Sequence, residues 1–459
     1  MKRKAGLILL LLSPLSIWQS LAHAEALFHL PPDTQIIEQR ITNFIAEDPL
    51  LQKAVVRSRA VVLDWQFVLE NVIASSLQDQ EPNPVPIKLF DDVSVNIITE
   101  RVTLLPDRPY QLQSERYNWI GRIDGDEEGR AIFILKDRRT VRGTIRYRGR
   151  IYEIQSVKDD LHSIFEVDVS KFPDEQTPIQ VIPKKGPNTE RQDSTTPIDD
   201  GTHSITRGQS CNVDVLVVYS KEAKGRTSDI DLEIDLAEQE ANDTFSRSGV
   251  HNLKITVISG KEVRYETEEQ KGEPASLDLA REQLLNPSDG VIDEVHQWRE
   301  ETKADLVSLW LYGKRDNDNC GSGYALDPQH ILADPASVAN NGFSAVKMVC
   351  ARSEFSFVHE LGHNMGSKHD RYDDGAVNDG NHNFGHVNLA LKRRTIMATN
   401  KQCDAQDLYC DRLGFWSNPH KLYSDGTKMG VADSDPQGME ADNRRTLNST
   451  ACAVAKFRQ

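Results

Sequence analysis

HELGHNMGSKHD, residues 359–370, is the most informative segment of this 459-residue chain. On a helix, residues four apart share a face, so His359 and His363 can direct two imidazoles at one point about 2.0–2.1 Å from each ring nitrogen. Gly366 lets the chain leave the helix in a conformation that other residues resist, which brings His369 round as a third ligand. Three protein ligands leave a fourth position open, as in catalytic zinc sites. The segment therefore predicts a bound Zn²⁺ ion.

Glu360 follows the first predicted ligand directly, so it lies beside the metal without occupying it. A carboxylate there can hold a water molecule next to the metal and accept its proton, which is the role of a general base. The alternative is a helix whose histidines only cap or pack. A chance match to this spacing is expected at a frequency on the order of 10⁻⁴ or below. Residues 359–370 thus favour hydrolytic chemistry with Glu360 as the catalytic residue.

This segment resembles the elongated zinc motif of the metzincin peptidases, H-E-x-x-H-x-x-G-x-x-H, and the Asp370 that follows it resembles the reprolysin branch. Residues 395–398, TIMA, look like the methionine turn that lies beneath the metal in this clan, with Met397 as its methionine. Within this clan, the chain resembles the bacterial peptidyl-Asp metalloendopeptidase family in particular. Five further segments carry this more specific resemblance: CNVDVLVVY at 211–219, CGSGY at 320–324, CA at 350–351, FWSNP at 415–419 and ADNR at 441–444.

The resemblance covers residues 209–459 and implies an α+β catalytic domain, metzincin-like, with a twisted mixed sheet and an active-site helix. It also implies a zinc-dependent endopeptidase in which Glu360 takes a proton from the attacking water and later passes it to the leaving amine. An extended substrate is expected to add to an edge strand near residues 322–326. Some metzincins have a tyrosine two residues after the turn methionine. That position is Thr399 here, so no such role is assigned.

The family name implies cleavage on the N-terminal side of acidic residues, and a pocket for an acidic side chain needs a cation near its wall. Lys392, Arg393 and Arg394 directly precede the methionine turn, which borders that pocket in this clan. Arg394 is predicted to pair with the substrate carboxylate. The alternative is that all three are solvated or ion-paired surface residues.

The start of the chain is typical of a secretory signal peptide. Residues 2–4 are basic, residues 7–21 are largely apolar, and residues 22–24, AHA, place small residues around a larger one. Residues 1–24 are therefore predicted to direct secretion, to the extracellular space or the periplasm. A membrane anchor is the alternative, and the short apolar run broken by Pro14 argues against it.

The sequence changes in character twice before residue 209. Residues 25–183 combine a partly helical start with a β-rich stretch and are interpreted as a propeptide domain that covers and inhibits the catalytic domain. Residues 184–208 are polar and rich in turn formers, which indicates an exposed linker with the processing site. The propeptide has no cysteine to block zinc. A carboxylate such as Asp193 or Asp199, or steric cover, is expected to inhibit instead.

Patterns of apolar residues predict the main regular elements of both domains. Apolar residues on one helical face predict a helix over residues 230–245. Apolar runs bounded by turn formers predict strands. These strands are predicted at residues 131–135, 141–147, 151–157, 213–219, 253–258 and 306–312.

All six cysteines lie after residue 210, and an even count in an exported chain predicts disulfides. Six cysteines allow fifteen pairings, and the sequence does not choose among them. A structural zinc–thiolate site is the competing interpretation, but the chain lacks a C-x-x-C pair. The pairs that we expect are Cys320 with Cys350, Cys403 with Cys410, and Cys211 with Cys452.

The formal net charge of −16 argues against nucleic acid as a partner, because phosphate binding needs clustered Lys and Arg. Protein or peptide substrates and the chain's own propeptide are the expected partners. Asp373, Asp374 and Asp379 could bind Ca²⁺, but without EF-hand spacing a solvated loop is favoured. His382 and His386 repeat the four-residue spacing, but neighbouring Asn and Gly residues disfavour a helix, so neither is expected to bind zinc.

Two other functions remain open at this point. One is a catalytically silent binding or adhesion protein that keeps the metzincin fold, which an unchanged biological effect of a Glu360→Ala variant would favour. The other is a different zinc hydrolase, such as an amidase, against which the resemblance argues. Turnover of peptide and of non-peptide substrates discriminates between a peptidase and an amidase.

Overall fold

The structure of the protein is a computed structural model. The predicted signal peptide at 1–24 and linker at 184–208, with Asp193 and Asp199, lie outside the described residues. Below, the N-terminal region means residues 27–181 and the C-terminal region means residues 210–459. The described residues are 27–31, 34–77, 83–108, 114–158, 161–181, 210–265, 276–313, 319–377, 379–433 and 435–459.

The N-terminal region is built on a nine-stranded antiparallel sheet in the order β1-β2-β9-β8-β7-β6-β5-β4-β3. The sheet curls into a near-barrel, since Arg59 Nη1 in β2 donates to Leu89 O in β3 at 3.2 Å. Its strands are β1 (Phe28–His29), β2 (Val55–Leu63), β3 (Val85–Phe90), β4 (Val93–Leu104), β5 (Arg116–Ile123), β6 (Asp126–Lys136), β7 (Thr140–Tyr147), β8 (Arg150–Lys158) and β9 (Leu161–Val167). The helices are α1 (Thr34–Ala46), α2 (Pro49–Ala54) and α3 (Trp65–Val68), with short turns of helix at Leu69–Ile73, Ser75–Leu77 and Val169–Lys171.

The C-terminal region is built on a mixed sheet in the order β10-β14-β15-β13-β11-β12, whose edge strand β10 comes from the N-terminal region. Strand β14 is antiparallel to β15, and the other pairs are parallel. Residues 215–219 of β11 and the whole of β13 are buried and almost entirely apolar, as expected of parallel strands that are covered on both faces. The strands are β10 (Ile179–Gln180), β11 (Cys211–Ser220), β12 (Leu253–Val263), β13 (Leu306–Leu311), β14 (Gly321–Ala325) and β15 (Phe343–Lys347). The predicted strands of both regions are confirmed.

Helices pack on both sides of this sheet. Short pairs of strands follow the zinc-motif helix in the last part of the chain. The helices are α4 (Lys221–Lys224), α5 (Ile230–Ser248), α6 (Leu277–Leu285), α7 (Glu294–Thr302), α8 (Pro328–Ala333), α9 (Pro335–Val338), α10 (Met348–Ser353), α11 (Ser356–Asn364), α12 (Arg371–Asp374), α13 (Lys401–Asp404) and α14 (Asn443–Val454), with a 3₁₀ turn at Ala339–Asn341. The short strands are β16 (Lys368–Asp370), β17 (Phe384–Gly385), β18 (Val387–Asn388), β19 (Arg393–Arg394), β20 (Asp411–Arg412), β21 (Asn418–Leu422) and β22 (Lys428–Met429).

Three disulfides join the expected pairs of cysteines. Cys211–Cys452 links β11 to α14 and so ties the start of the C-terminal region to its end. The other two join Cys320 to Cys350 and Cys403 to Cys410. In the part of the chain that the structure describes, no helix has both the length and the apolar character needed to cross a bilayer.

Helix α5 lies buried between the two regions and contacts the N-terminal sheet along its length. Its Leu232 and Leu236 pack with isoleucines of β5 and β6. Its acidic side chains pair with arginines of the N-terminal sheet: Arg142 Nε donates to Glu233 at 2.9 Å, and Arg130 Nε donates to Asp243 at 2.8 Å. Removing one partner of such a buried pair leaves an uncompensated charge, at a cost of about 3–5 kcal/mol. These pairs therefore specify how the two regions dock. The acidic residues of α5 buried there are Glu233, Asp235, Glu238, Glu240 and Asp243.

Glu240 of α5 gives this interface a dependence on pH. Burial raises its pKa from 4.5 to about 7, partly offset by Arg146. The folded protein therefore favours the protonated, neutral form of Glu240. The stability that this proton contributes is fully present below pH 4.5 and is lost as the pH rises through 7. We expect Glu240→Gln to raise the free energy of unfolding at pH 8 by about 2–3 kcal/mol and to change it little at pH 4. Urea unfolding of the full chain at both pH values measures this, with Glu294→Gln as an exposed control. A variant no more stable than wild type at pH 8 would contradict the expectation.

Candidate metal centre

Helix α11 carries the first two predicted ligands and is buried along its whole length. His359 and His363 lie one turn apart on the same face, and the helix ends at Asn364. Gly366 then adopts a φ of 97°, which lies in the left-handed region that favours glycine. The chain turns back there and places His369 in strand β16, opposite the other two imidazoles.

The Nε2 atoms of the three histidines converge on one point. Each of the three Nε2–Nε2 distances is 3.1 Å. Tetrahedral zinc with Zn–N bonds of 2.0–2.1 Å requires nitrogens about 3.3–3.4 Å apart, so the spacing fits one zinc ion. Among the described residues, His359, His363 and His369 form the group of side chains able to hold a metal ion.

The Nδ1 atoms explain why these nitrogens face each other. His359 Nδ1 contacts Ile396 O at 2.8 Å, and His363 Nδ1 contacts Ser367 O at 2.9 Å. A carbonyl oxygen only accepts, so each Nδ1 carries the proton and donates, and each Nε2 directs a lone pair at the common point. Burial lowers the pKa of both imidazoles well below their usual range, so both stay neutral. Neutral imidazoles with converging lone pairs are the donor set that zinc requires.

Asp373 orients the third ligand. Its Oδ2 accepts from His369 Nδ1 at 2.6 Å, and its other oxygen pairs with Lys401. Burial opposes ionisation, but these hydrogen bonds outweigh it and lower the pKa of Asp373 to about 2. The expectation of a solvated loop is therefore wrong for Asp373, whose side chain is only 4% exposed. The two remaining carboxylates of the loop pair with basic side chains, Asp374 with Lys368 and Asp379 with Arg371. We do not propose a calcium site there.

We expect Asp373→Asn to weaken zinc binding about 10–100-fold, because the amide cannot supply the charge that holds His369 in its tautomer and orientation. Competition with a chromophoric chelator measures the affinity. Asp374→Asn is the matched control, since that neighbouring carboxylate pairs with Lys368 and not with a ligand. Equal affinities of the two variants would show that Asp373 does not act on the metal centre.

Glu360 follows His359 directly in the buried helix α11. The residue is fully buried, and neither carboxylate oxygen has a hydrogen-bond partner within the described ranges. Gly321 and Gly323 of strand β14 make room for it, since a Cβ on Gly323 would lie 2.5 Å from Glu360 Oε2. Burial raises the pKa of Glu360 well above its usual range, and the nearby Glu175 carboxylate adds to this effect. Buried, perturbed carboxylates of this kind are typical of acid–base residues.

The methionine turn lies directly under α11. A Cβ on Gly362 would meet Met397 Sδ at 2.7 Å, so a glycine in the zinc helix allows this close approach. Asp370 ties the same turn to the metal segment, because its Oδ2 accepts from Thr399 N at 2.9 Å and from Thr399 Oγ1 at 3.2 Å. The hydroxyl of Thr399, at the position where some metzincins have a tyrosine, is thus directed at Asp370. Met397 supports the helix from below.

Arg394 is buried beside the metal centre and does not lie on the surface. It forms part of what we call the wall of the cleft. Its guanidinium is 2% exposed and donates to Glu354 at 3.1 Å and to Ala398 O at 2.8 Å. Strand β20 places Arg412 in register with Arg394, so that two buried guanidinium groups stand side by side. No sequence motif marks Arg412, so its place beside Arg394 follows from the structure alone. Arg393 is ion-paired with Asp411 on the outer side.

A segment of the N-terminal region, residues 174–181, runs along the edge of strand β14. Gln176 N donates to Gly321 O at 3.2 Å, Val181 N donates to Ala325 O at 3.0 Å, and β10 pairs with β14 in parallel. Asp174 and Glu175 begin the segment and reach the two buried arginines. No sequence motif marks this segment.

The two further histidines lie away from the three ligands. His386 Nδ1 contacts Tyr423 Oη at 3.1 Å, and His382 lies near the charged groups of Asp442 and Arg445. Burial lowers the pKa of each to about 4. Among the described residues, the metal-binding group is formed by the other three histidines.

Comparisons with known proteins agree with this geometry. Residues 209–411 match the Reprolysin_5 family model, described as metallo-peptidase family M12. A peptidyl-Asp metalloendopeptidase of Stenotrophomonas maltophilia (strain R551-3) is 29% identical over 377 residues, which are 79% of this chain and 81% of the relative. One from Pseudomonas fragi is 32% identical over 127 residues, 28% of this chain and 73% of the relative. The crystal structure of metalloproteinase-II from Bacteroides fragilis shares 11% identity at a TM-score of 0.39, over 65% of this chain and 84% of that chain. That level of structural likeness supports no conclusion.

Proposed function

Since this chain belongs to metallopeptidase family M12, in its reprolysin-like branch, and is a zinc metalloendopeptidase, we propose that it is secreted as a zymogen and hydrolyses peptide bonds next to acidic residues. In this proposal His359, His363 and His369 hold one catalytic zinc ion. Glu360 is the general base, and Met397 supports the site from beneath.

One observation carries the proposal: the Nε2 atoms of three imidazoles lie 3.1 Å from one another, and the residue after His359 is a buried carboxylate without a hydrogen-bond partner in the described part of the chain. When bound, zinc polarises the scissile carbonyl and lowers the pKa of the attacking water. Glu360 accepts the proton of that water and later gives it to the leaving amine. Its burial keeps the carboxylate from competing hydrogen bonds, so that it is free to accept a proton.

Strand β14 is the proposed docking edge for substrate. In the C-terminal region it is the outer strand on this side of the sheet, and its outward edge is taken by residues of the N-terminal region. An extended peptide that replaces them gains main-chain hydrogen bonds along residues 321–325. This would bring its backbone past Glu360, which borders the two glycines of the strand.

The proposed preference is for bonds on the N-terminal side of Asp or Glu. It is supported by the name of the relatives, peptidyl-Asp metalloendopeptidase, and by the buried cations in the wall of the cleft. Arg394 is the pocket residue suggested by its place before the methionine turn. Its Nη1 lies 3.4 Å from the carboxylate of Asp174, an acidic side chain already in this wall.

The proposed organisation is a signal peptide at 1–24, a propeptide domain at 25–183, a linker with the processing site at 184–208, and a metzincin catalytic domain at 209–459. Support for inhibition comes from residues 174–181, which occupy the edge of β14. N-terminal sequencing of the secreted, active protein tests this. Full activity of a protein that begins at Glu25 would exclude a zymogen.

Secretion is supported by the three disulfides, which form and persist in oxidising compartments outside the cytosol. The destination is the extracellular space or the periplasm. Fractionation of the producing cells, followed by detection of the processed chain in medium and periplasm, tests this part of the proposal.

The peptidase proposal is tested by mass spectrometry of denatured proteins digested with the purified, matured enzyme, with and without a zinc chelator. We expect new N-termini that begin with Asp or Glu, lost with chelator and restored by added zinc. Peptide cleavage that is indifferent to the chelator would exclude the proposed metal centre. Cleavage without acidic preference would exclude the proposed specificity alone.

A further inference from the structure

Arg412 is a buried cation whose strongest partners belong to the other region of the chain. Its side chain is 1% exposed. Nη1 donates to Glu175 Oε1 at 2.7 Å, and Nη2 donates to Asp174 Oδ1 at 3.3 Å. In the described C-terminal region, the nearest carboxylate is that of Glu354, 4.0 Å away. That carboxylate lies closer to Arg394, at 3.1 Å, so it serves mainly the other guanidinium.

Arg412 has close carboxylate partners in this wall only while the N-terminal region is in place. The C-terminal region contributes two cations, Arg394 and Arg412, and one anion, Glu354. The N-terminal region adds two anions, Asp174 and Glu175. When the N-terminal region leaves, Arg412 keeps a hydrogen bond to Glu354 O at 2.6 Å but loses both of its close carboxylates. A guanidinium held in a buried wall without a counter-ion is an unfavourable state that an incoming carboxylate relieves.

The same two carboxylates lie at the catalytic end of the cleft. Glu175 Oε1 also accepts from Ser356 Oγ, at the first residue of the zinc helix, at 2.6 Å. The other oxygen of Glu175 is buried without a partner within the described ranges, and it borders Gly321 together with the carboxylate of Glu360. Asp174 O accepts from Cys320 N at 3.1 Å, next to the start of strand β14. An acidic side chain in this place is therefore bound by Arg412 within reach of the reacting groups.

We propose that Arg412 recognises the acidic side chain of the substrate, with Arg394 supporting it from behind, and that Asp174 and Glu175 occupy this subsite in the zymogen as an internal substitute. This inference rests on the proposed peptidase function and deepens it. It moves the main recognition role from Arg394 to Arg412, because Arg394 keeps Glu354 as a close partner in the mature enzyme. The geometry also explains how the propeptide blocks the cleft without a cysteine. It places carboxylates where the substrate carboxylate binds.

The test uses matured enzyme from the full chain and two peptides that differ only by Asp or Asn after the scissile bond. For Arg412→Gln we expect the ratio of kcat/KM for the Asp peptide to that for the Asn peptide to fall about 100-fold, mostly through KM. Arg412→Lys, which keeps the positive charge, restores part of the ratio. Arg393→Gln, on the neighbouring strand but paired outward, is the matched control. An unchanged ratio in Arg412→Gln overturns the proposal, whereas a wild type that cleaves neither peptide overturns the peptidase function itself.

A second measurement does not depend on the folding of a variant. The synthetic peptide FPDEQTPIQV, residues 172–181, is tested as a competitive inhibitor of the matured wild type. We expect the peptide with Asp174→Asn and Glu175→Gln to inhibit at least about tenfold more weakly, since it cannot pair with Arg412. Equal inhibition by the two peptides, or none by either, overturns the assignment of Asp174 and Glu175 to the subsite.

Discussion

Glu360→Gln lowers kcat/KM for peptide cleavage by about 10²–10⁴-fold while the protein keeps about one zinc per chain. Glutamine has nearly the same size and cannot accept the proton of the attacking water. Since the three imidazoles do not contact Glu360 through a hydrogen bond, the metal centre itself stays intact. Steady-state kinetics on a fluorogenic peptide, together with zinc determination by atomic spectroscopy, measure both parts of this expectation.

Glu294→Gln is the matched control for the loss of activity, because it makes the same chemical change on the exposed side of α7. It is expected to keep wild-type kinetics. A Glu360→Gln enzyme with zinc bound and activity within a few-fold of wild type would rule out Glu360 as the general base. Loss of zinc in that variant would instead show that the carboxylate is needed to build the site.

His363→Ala is expected to reduce bound zinc to less than about a tenth of an equivalent per chain and to abolish peptide cleavage. Two imidazoles remain, and two neutral ligands cannot hold zinc against solvent and chelators as three do. The backbone carbonyl of Ser367 also loses the hydrogen bond from His363 Nδ1, at 2.9 Å, which shapes the turn toward His369. Zinc content after dialysis and activity at saturating zinc are the two readouts.

His386→Ala makes the same substitution at a partly buried histidine outside the metal-binding group. It should keep its zinc and its activity, apart from any loss of stability. If both variants kept zinc, the three-histidine site would be wrong. If both lost it, the loss would report unfolding, and circular dichroism of the two proteins would show this directly.

The metal ligands were predictable because their signal is local. His359 and His363 share a helix face because they are four residues apart. A turn at a glycine then places His369, only six residues after His363, next to them. The strands of both sheets were predictable for a similar reason, since alternation and apolar runs follow from burial on one or both faces. Asp373 lies four residues from His369 and was still missed, because its neighbours have the composition of a solvated loop.

Only the tertiary structure decided which distant charges meet. Arg412 and Glu175 are 237 residues apart in sequence, and Arg142 and Glu233 are 91 apart. An ion pair leaves no periodic trace in either partner, so a buried guanidinium and an exposed one look alike in the sequence. The sequence by itself predicted a metal site of three histidines and the helix that carries two of them. The neighbours of that centre, including the carboxylates that fill its cleft, followed from the packing of the two regions, because Coulomb and hydrogen-bond partners are selected by position in space and not by spacing along the chain.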